Sequence, residues 1–181
     1  MRFYKKLVNE EKNLVETTIN HILDFNISNI IAGKELIKII GHRFDIYLIQ
    51  QEDLSLFNLF STQFLQTNFN IVHARIKLGF FIHEKFLIGI ESLTFLAPYA
   101  RRRIQLDARN TNNFIYGKDV DIDTLSLKQQ IKHLDDGPTV MIFSNTDIPI
   151  GYAKIRSNGT NKWLQNLIDI GIYIRSEKSA F

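Results

Sequence analysis

The sequence predicts an α+β protein of two domains, an α/β domain over residues 1–93 followed by a mainly β domain over residues 94–181. Three observations support this fold class. Apolar residues recur at helical spacing near the start of the chain, short apolar segments fill its second half, and Pro98 with a basic run after it lies between the two regions. Because proline ends a helix and a basic run resists burial, we place the junction near residues 92–98.

The first half predicts one amphipathic helix and two pairs of strands. Helical spacing of apolar residues indicates a helix over about 7–25. Two short segments, 35–40 and 45–50, read as strands, and residues 71–78 and 85–90 read as a hairpin that turns near 81–84. Residues 51–60 begin with acidic side chains and continue with apolar ones, which is typical of a second helix.

The second half predicts a small barrel. Its strands are short, and Asn, Asp, Gly and Pro clusters separate them. A short helix is expected around 120–133, and closely spaced short strands favour a closed β architecture. The expected strands are residues 102–106, 139–143, 151–156, 162–166 and 171–175.

Composition excludes several classes of protein. Hydrophobic residues make up 45% of the chain and charged residues 23%, which is too apolar for a disordered protein. The absence of cysteine excludes a disulfide scaffold, a thiolate zinc site and a cysteine nucleophile. No apolar run reaches the ~18 residues that span a bilayer, and the N-terminus lacks a secretory signal. We therefore expect a soluble intracellular protein.

The motif search leaves no catalytic site. Asp119, Asp121 and Asp123 resemble the start of a calcium-binding loop, but Thr124 and Gln130 stand where that loop needs Gly and Glu. Carboxylates that cap the start of a helix are the favoured interpretation. Phosphate-binding and nucleophile motifs are absent. The sequence predicts no enzyme, no cofactor and no metal ion.

The positive charge lies in the second half. Residues 1–93 carry 10 basic and 10 acidic side chains, whereas residues 94–181 carry 12 and 9, so the whole net charge of +3 falls there. This asymmetry indicates the C-terminal third as the place where a polyanion would bind.

One basic stripe is the main candidate for such a site. On an alternating strand Tyr152, Lys154 and Arg156 share a face, and Lys162 would join them if the next strand pairs with this one. An aromatic ring beside cations suits RNA, because the ring stacks on a base while the cations contact phosphates. A solvated outer face explains the alternation equally well.

Arg101 and Arg103 form a second candidate. In a strand they point to one side and Arg102 to the other. Protection of a sheet edge or plain solvation is the commoner role of such a basic run.

Four segments together resemble a known family. They are LTFLAPYARRRIQL (residues 93–106), FIYGKDV (114–120), DIPIGYA (147–153) and DIGIYIRSE (169–177). In this order and spacing they resemble successive blocks of the Nip-seven family of large-subunit ribosome biogenesis factors. Residues 45–48 and 78–93 extend the resemblance to the first half.

The resemblance implies a C-terminal PUA domain, a β pseudo-barrel that binds RNA. It also implies a non-enzymatic assembly factor for the large ribosomal subunit that acts in pre-rRNA processing in the nucleus and nucleolus. The implied partners are pre-rRNA, pre-ribosomal large-subunit particles and other assembly factors, with no membrane partner, and the free protein is expected to be a monomer.

The chain departs from the family pattern in two places. Gly117-Lys118-Asp119-Val120 stands where the family has Gly-Asn-His-Val, and the segment after Gly151 is shorter and lacks the family's basic loop residues. By position, Lys154, Arg156 and Lys162 could substitute for that loop. Two hypotheses remain, an RNA-binding assembly factor and a protein-interaction scaffold whose RNA surface is weakened.

Overall fold

The chain forms two compact units, each with its own five-stranded sheet. The computed structural model describes residues 3–40, 44–52, 76–122, 125–130, 137–159, 161–172 and 175. One unit comprises residues 1–20 and 26–95, and the other comprises residues 21–25 and 96–181. Helices and two sheets are both present, so the predicted α+β class is confirmed. No described helix is long and apolar enough to cross a membrane.

The first unit is an antiparallel sheet in the order β1-β2-β3-β4-β5 with one long helix, α1. Val15 and Ile19 of α1 are buried, and Glu11 of α1 forms an ion pair with Lys38 of the sheet. The helix therefore covers the sheet face that carries Lys38. The elements are β1 (Phe3–Lys6), α1 (Asn9–Leu23), β2 (Lys34–Ile40), β3 (Phe44–Gln50), β4 (Ile76–Ile82) and β5 (Lys85–Ile88).

Most predicted elements of this half are confirmed. The helix, the strands of residues 35–40 and 45–50, and the β4–β5 hairpin lie within a few residues of their predicted positions. The strand β1 was not predicted. The predicted helix over 51–60 falls almost entirely outside the described residues, and so do residues 71–75 of the predicted hairpin.

The second unit contains the sheet that positions the candidate site. Its strand order is β6-β8-β9-β10-β7, in which β6 pairs with β8 in parallel and the other pairs are antiparallel. The elements are α2 (Leu93–Leu96, which begins at the end of the first unit), β6 (Arg103–Gln105), α3 (Ala108–Ile115), β7 (Val120–Asp121), α4 (Leu125–Gln130), β8 (Thr139–Phe143), β9 (Pro149–Asn158) and β10 (Asn161–Asp169).

One face of this sheet forms the hydrophobic core of the second unit, and we call it the core face. Val140, Ala153, Ile155 and Leu164 lie on it and are fully buried. Phe114 of α3 belongs to the same cluster, so α3 packs against this face. We call the opposite face the outer face.

The sequence did not predict helix α3. Its residues are mostly polar, and only Thr111 and Phe114 are buried. The helix begins where the carboxylate of Asp107 accepts a hydrogen bond from the backbone N–H of Asn110, 2.8 Å away. A polar segment with two buried positions carries too little periodicity to distinguish a helix from a loop.

The predicted strand over 171–175 is wrong, because Gly171, Ile172 and Arg175 are helical. The guanidinium of Arg175 forms a bidentate ion pair with the buried carboxylate of Asp169, at 3.0 Å for both contacts. Six residues of extended chain would span about 20 Å and would carry Arg175 away from Asp169. The helical conformation of Gly171, Ile172 and Arg175 agrees with this ion pair.

The same ion pair fixes the last described residues onto α3. Asp169 also accepts from the backbone N–H of Gly171, and Arg175 donates to the carbonyl oxygen of Ile115 at the end of α3. The hydrogen bond with Asp169 raises the pKa of Arg175 above its ordinary value. A Cβ at Gly171 would lie 1.8 Å from the Ile115 oxygen, so only glycine fits this approach.

Ala153→Asp is expected to destabilise the second unit by more than about 3 kcal/mol, because it buries an unpaired carboxylate on the core face. Lys154→Asp is the matched control, since it places the same carboxylate on the partly exposed outer face one residue later. Urea unfolding followed by circular dichroism measures both. Equal stability of the two variants would contradict the assignment of the faces.

Asp169→Asn is expected to lower the free energy of unfolding by about 2–3 kcal/mol, because it removes the charge-assisted bonds to Arg175. The matched control is Asp147→Asn, whose carboxylate is 63% exposed and pairs with Arg103. An exposed pair contributes less than about 1 kcal/mol. If the two losses measured by urea unfolding are alike, Asp169 does not anchor this segment.

Candidate nucleic-acid interface

The register of the β9–β10 hairpin determines which side chains share the outer face. Asn158 lies opposite Asn161, and only residues 159 and 160 connect the strands. Gly159 adopts φ +63°, the left-handed conformation that such a tight turn needs. Because opposite residues project to the same side of a sheet, Arg156 shares its face with Trp163, and Lys154 shares it with Gln165.

The prediction that Lys162 joins this face is wrong. Lys162 lies opposite Ser157, which places it on the same side of the hairpin as Ile155 and Leu164 of the core face. With two residues between the strands, each even-numbered residue of β10 as far as Asn166 lies opposite an odd-numbered residue of β9. Lys162 therefore projects to the side of Ile155 and Ser157, away from Lys154 and Arg156.

The prediction that Tyr152 stacks on a base is also wrong. Its side chain does lie on the outer face, opposite Met141, but it is only 2% exposed. Met141 and Phe143 of β8 are buried on the same face, so this end of the outer face is covered. A base cannot reach a ring that the protein already encloses.

Trp163 is the aromatic residue of the outer face that the sequence analysis missed. It lies directly opposite Arg156 and is partly exposed. Its ring makes no hydrogen bond or ring contact with another described residue. The sequence signal that could have identified Trp163 is the length of the hairpin turn. Counting outward from a two-residue turn pairs residue 156 with residue 163.

Arg156 and Lys154 are the cations that remain beside this ring. The Nε of Arg156 donates to Oε1 of Gln165 at 2.8 Å, which holds the guanidinium above the sheet. Among the described residues, neither cation has a carboxylate within ion-pair distance. Both side chains are partly exposed, so both charges are available to an anion from solution.

The other basic side chains predicted for the site are engaged within the second unit. Arg103 lies on the outer face at its covered end, where it pairs with Asp147 and its guanidinium carbon is 4.0 Å from the centre of the Phe143 ring. Arg101 precedes the strand and lies over the ring of Phe25 at 5.3 Å. The two residues therefore do not extend the Lys154–Arg156 pair.

The sequence suggested that Asp119 and Asp121 cap the start of a helix, and the structure does not place them there. Asp119 accepts a hydrogen bond from the backbone N–H of Asn166, 2.9 Å away, and Asp121 is an exposed residue of β7. Asp123 lies outside the described residues. In the part of the chain that the structure describes, no three His, Asp or Glu side chains come together in a group that could hold a metal ion.

The second unit matches a known domain family, and nearly the whole chain is similar to a known protein. Residues 102–178 match the UPF0113 PUA domain family. The chain is 29% identical to the 60S ribosome subunit biogenesis protein NIP7 of Saccharomyces cerevisiae over 191 aligned positions, which cover 98% of this chain and 99% of that protein. It is also 29% identical to the NIP7 homolog of Danio rerio, over 52% of this chain and 56% of that protein.

A solved structure shares the fold. It is a hypothetical protein of the hyperthermophilic archaeon Pyrococcus horikoshii, with a TM-score of 0.51, 10% sequence identity and coverage of 95% of this chain and 99% of that one. The β unit of residues 102–178 is therefore the predicted PUA-like domain, and the resemblance of this chain to the Nip-seven family is confirmed over nearly its whole length.

Proposed function

We propose that this protein is a non-enzymatic, RNA-binding assembly factor for the large ribosomal subunit that acts in pre-rRNA processing. Similarity over 98% of the chain to one protein named for biogenesis of the 60S subunit, and over 52% to a second, supports the pathway. The PUA domain supports RNA as the ligand. One structural observation carries the proposal to particular residues. Lys154 and Arg156 lie beside a partly exposed aromatic ring on the sheet of that domain, without acidic partners among the described residues.

The charge pairing within the second unit supports this surface over three of its arginines. Arg102, Arg103 and Arg175 each have a carboxylate within ion-pair distance, and a phosphate would have to compete with that carboxylate. Lys154 and Arg156 carry no such competitor in the described part of the chain. Unpaired cations bind phosphates with release of counterions, which is the main source of affinity for nucleic acids.

The proposal extends to location, partners and domains. A factor of this kind works in the nucleus and nucleolus on pre-rRNA, within pre-ribosomal large-subunit particles that contain other assembly factors. We assign residues 1–93 and 94–181 as its two domains. The division into two compact units supports this assignment except for residues 21–25, which group with the second unit, and residues 94–95, which group with the first.

Salt titration of RNA binding tests the proposal. Affinity for a short single-stranded RNA, measured by fluorescence anisotropy of the labelled RNA, is expected to fall with salt at a slope of about −0.7 per phosphate contact. Replacing Lys154 and Arg156 together by Ala should flatten this slope by about 1.4, because two contacts are lost. Stability should change little, since neither side chain is in the core.

Lys162→Ala is the matched control, because Lys162 belongs to the same hairpin but projects to the other side. It should leave the slope near that of the parent protein. A double variant with the parent's affinity and slope would place the site elsewhere, and Arg101 and Arg103 would be the next residues to test. Negligible binding by the parent protein at low salt would favour the protein-interaction scaffold.

A further inference from the structure

We propose that Trp163 is a stacking platform for one unpaired base, so that this surface selects single-stranded RNA over duplex RNA. The inference rests on the proposed RNA-binding function and adds the class of RNA and the residue that recognises it. Its starting observation is that a large aromatic side chain lies on the outer face, away from the hydrophobic core of its own domain.

Packing does not account for this position. Trp163 is absent from the core cluster, whereas its neighbour Leu164 is fully buried in that cluster. A buried tryptophan ordinarily finds an acceptor for its indole N–H. The N–H of Trp163 bonds to no other described residue, and the ring is partly open to solvent. Both features suit a ring that meets its partner from outside the protein.

The neighbours of the ring define where a nucleotide would lie. Arg156 stands directly opposite on β9, at about 5 Å between Cβ atoms, and Lys154 is the diagonal neighbour at about 7–8 Å. Asp121 stands opposite on the other side, on β7, and its carboxylate repels phosphate. The phosphates therefore follow β9 while the base extends over β10 onto the indole.

This geometry favours an unpaired base. Inside an A-form duplex each base is stacked on its neighbours and its face is not available to a side chain. A single strand can turn a base onto an aromatic ring, and every base offers a π-face, so the contact tolerates different sequences. Duplex RNA would reach only the two cations.

The chain provides its own reporter for this contact, since Trp163 is its one tryptophan. Titration with a short single-stranded RNA should quench the tryptophan emission with the same midpoint as the anisotropy of the labelled RNA. The duplex form of the same RNA should leave the emission nearly unchanged. Trp163→Leu should weaken single-strand binding about 5- to 150-fold, the range expected for loss of one stacked base.

Trp163→Phe is the companion variant, because it keeps an aromatic face and should lose much less affinity than Trp163→Leu. Urea unfolding of both variants separates a loss of stacking from a loss of folding. A leucine variant that binds as tightly as the parent, an emission that stays constant when the RNA is saturated, or equal quenching by duplex RNA would each overturn the proposal. Anisotropy detects RNA binding whether or not Trp163 takes part. RNA binding without stacking therefore overturns this inference alone, and absence of RNA binding overturns the proposed function as well.

Discussion

The pairing register of the β9–β10 hairpin is the constraint on which the rest of the second unit depends. With only residues 159 and 160 between the strands, Asn158 must face Asn161, and the pairs as far as Asn166 opposite Ala153 follow from that one. The register sends Ile155 and Leu164 together into the core and Arg156 and Trp163 together to the outer face. A slip of one residue would exchange the two faces of one strand, so burial of the core also fixes the surface that we assign to RNA.

One end of the outer face is buried and the end near the hairpin turn is partly exposed. All five residues of β8 are buried, whereas β9 becomes more exposed after Ile155 toward the hairpin turn. A strand that is apolar at consecutive positions is covered on both faces, and this explains why Tyr152 is enclosed beside Met141 while Lys154 and Arg156 are accessible. The exposed part of the face is therefore small and lies near the hairpin turn.

The sequence was sufficient for the elements with strong periodicity and for the family. Helix α1, the strands of both sheets other than β1 and β7, and the four resembling segments were visible in residue order. The residues that form the candidate site were not visible in this way, because their positions depend on contacts between residues distant in sequence. The side on which Lys162 projects is set by a turn length, and the path after Asp169 is set by an ion pair with Arg175 that residue order alone does not reveal.

Charge pairing distinguishes Lys154 and Arg156 from three arginines of the second unit. Arg102, Arg103 and Arg175 hold parts of the second unit together through carboxylates that the same unit supplies. Lys154 and Arg156 contribute no such internal bond to an acid among the described residues, and Gln165 orients Arg156 without neutralising it. A neutral partner keeps the full charge available while it reduces the side-chain entropy that a phosphate contact would otherwise cost. This is the arrangement expected of a cation whose counter-charge comes from another molecule.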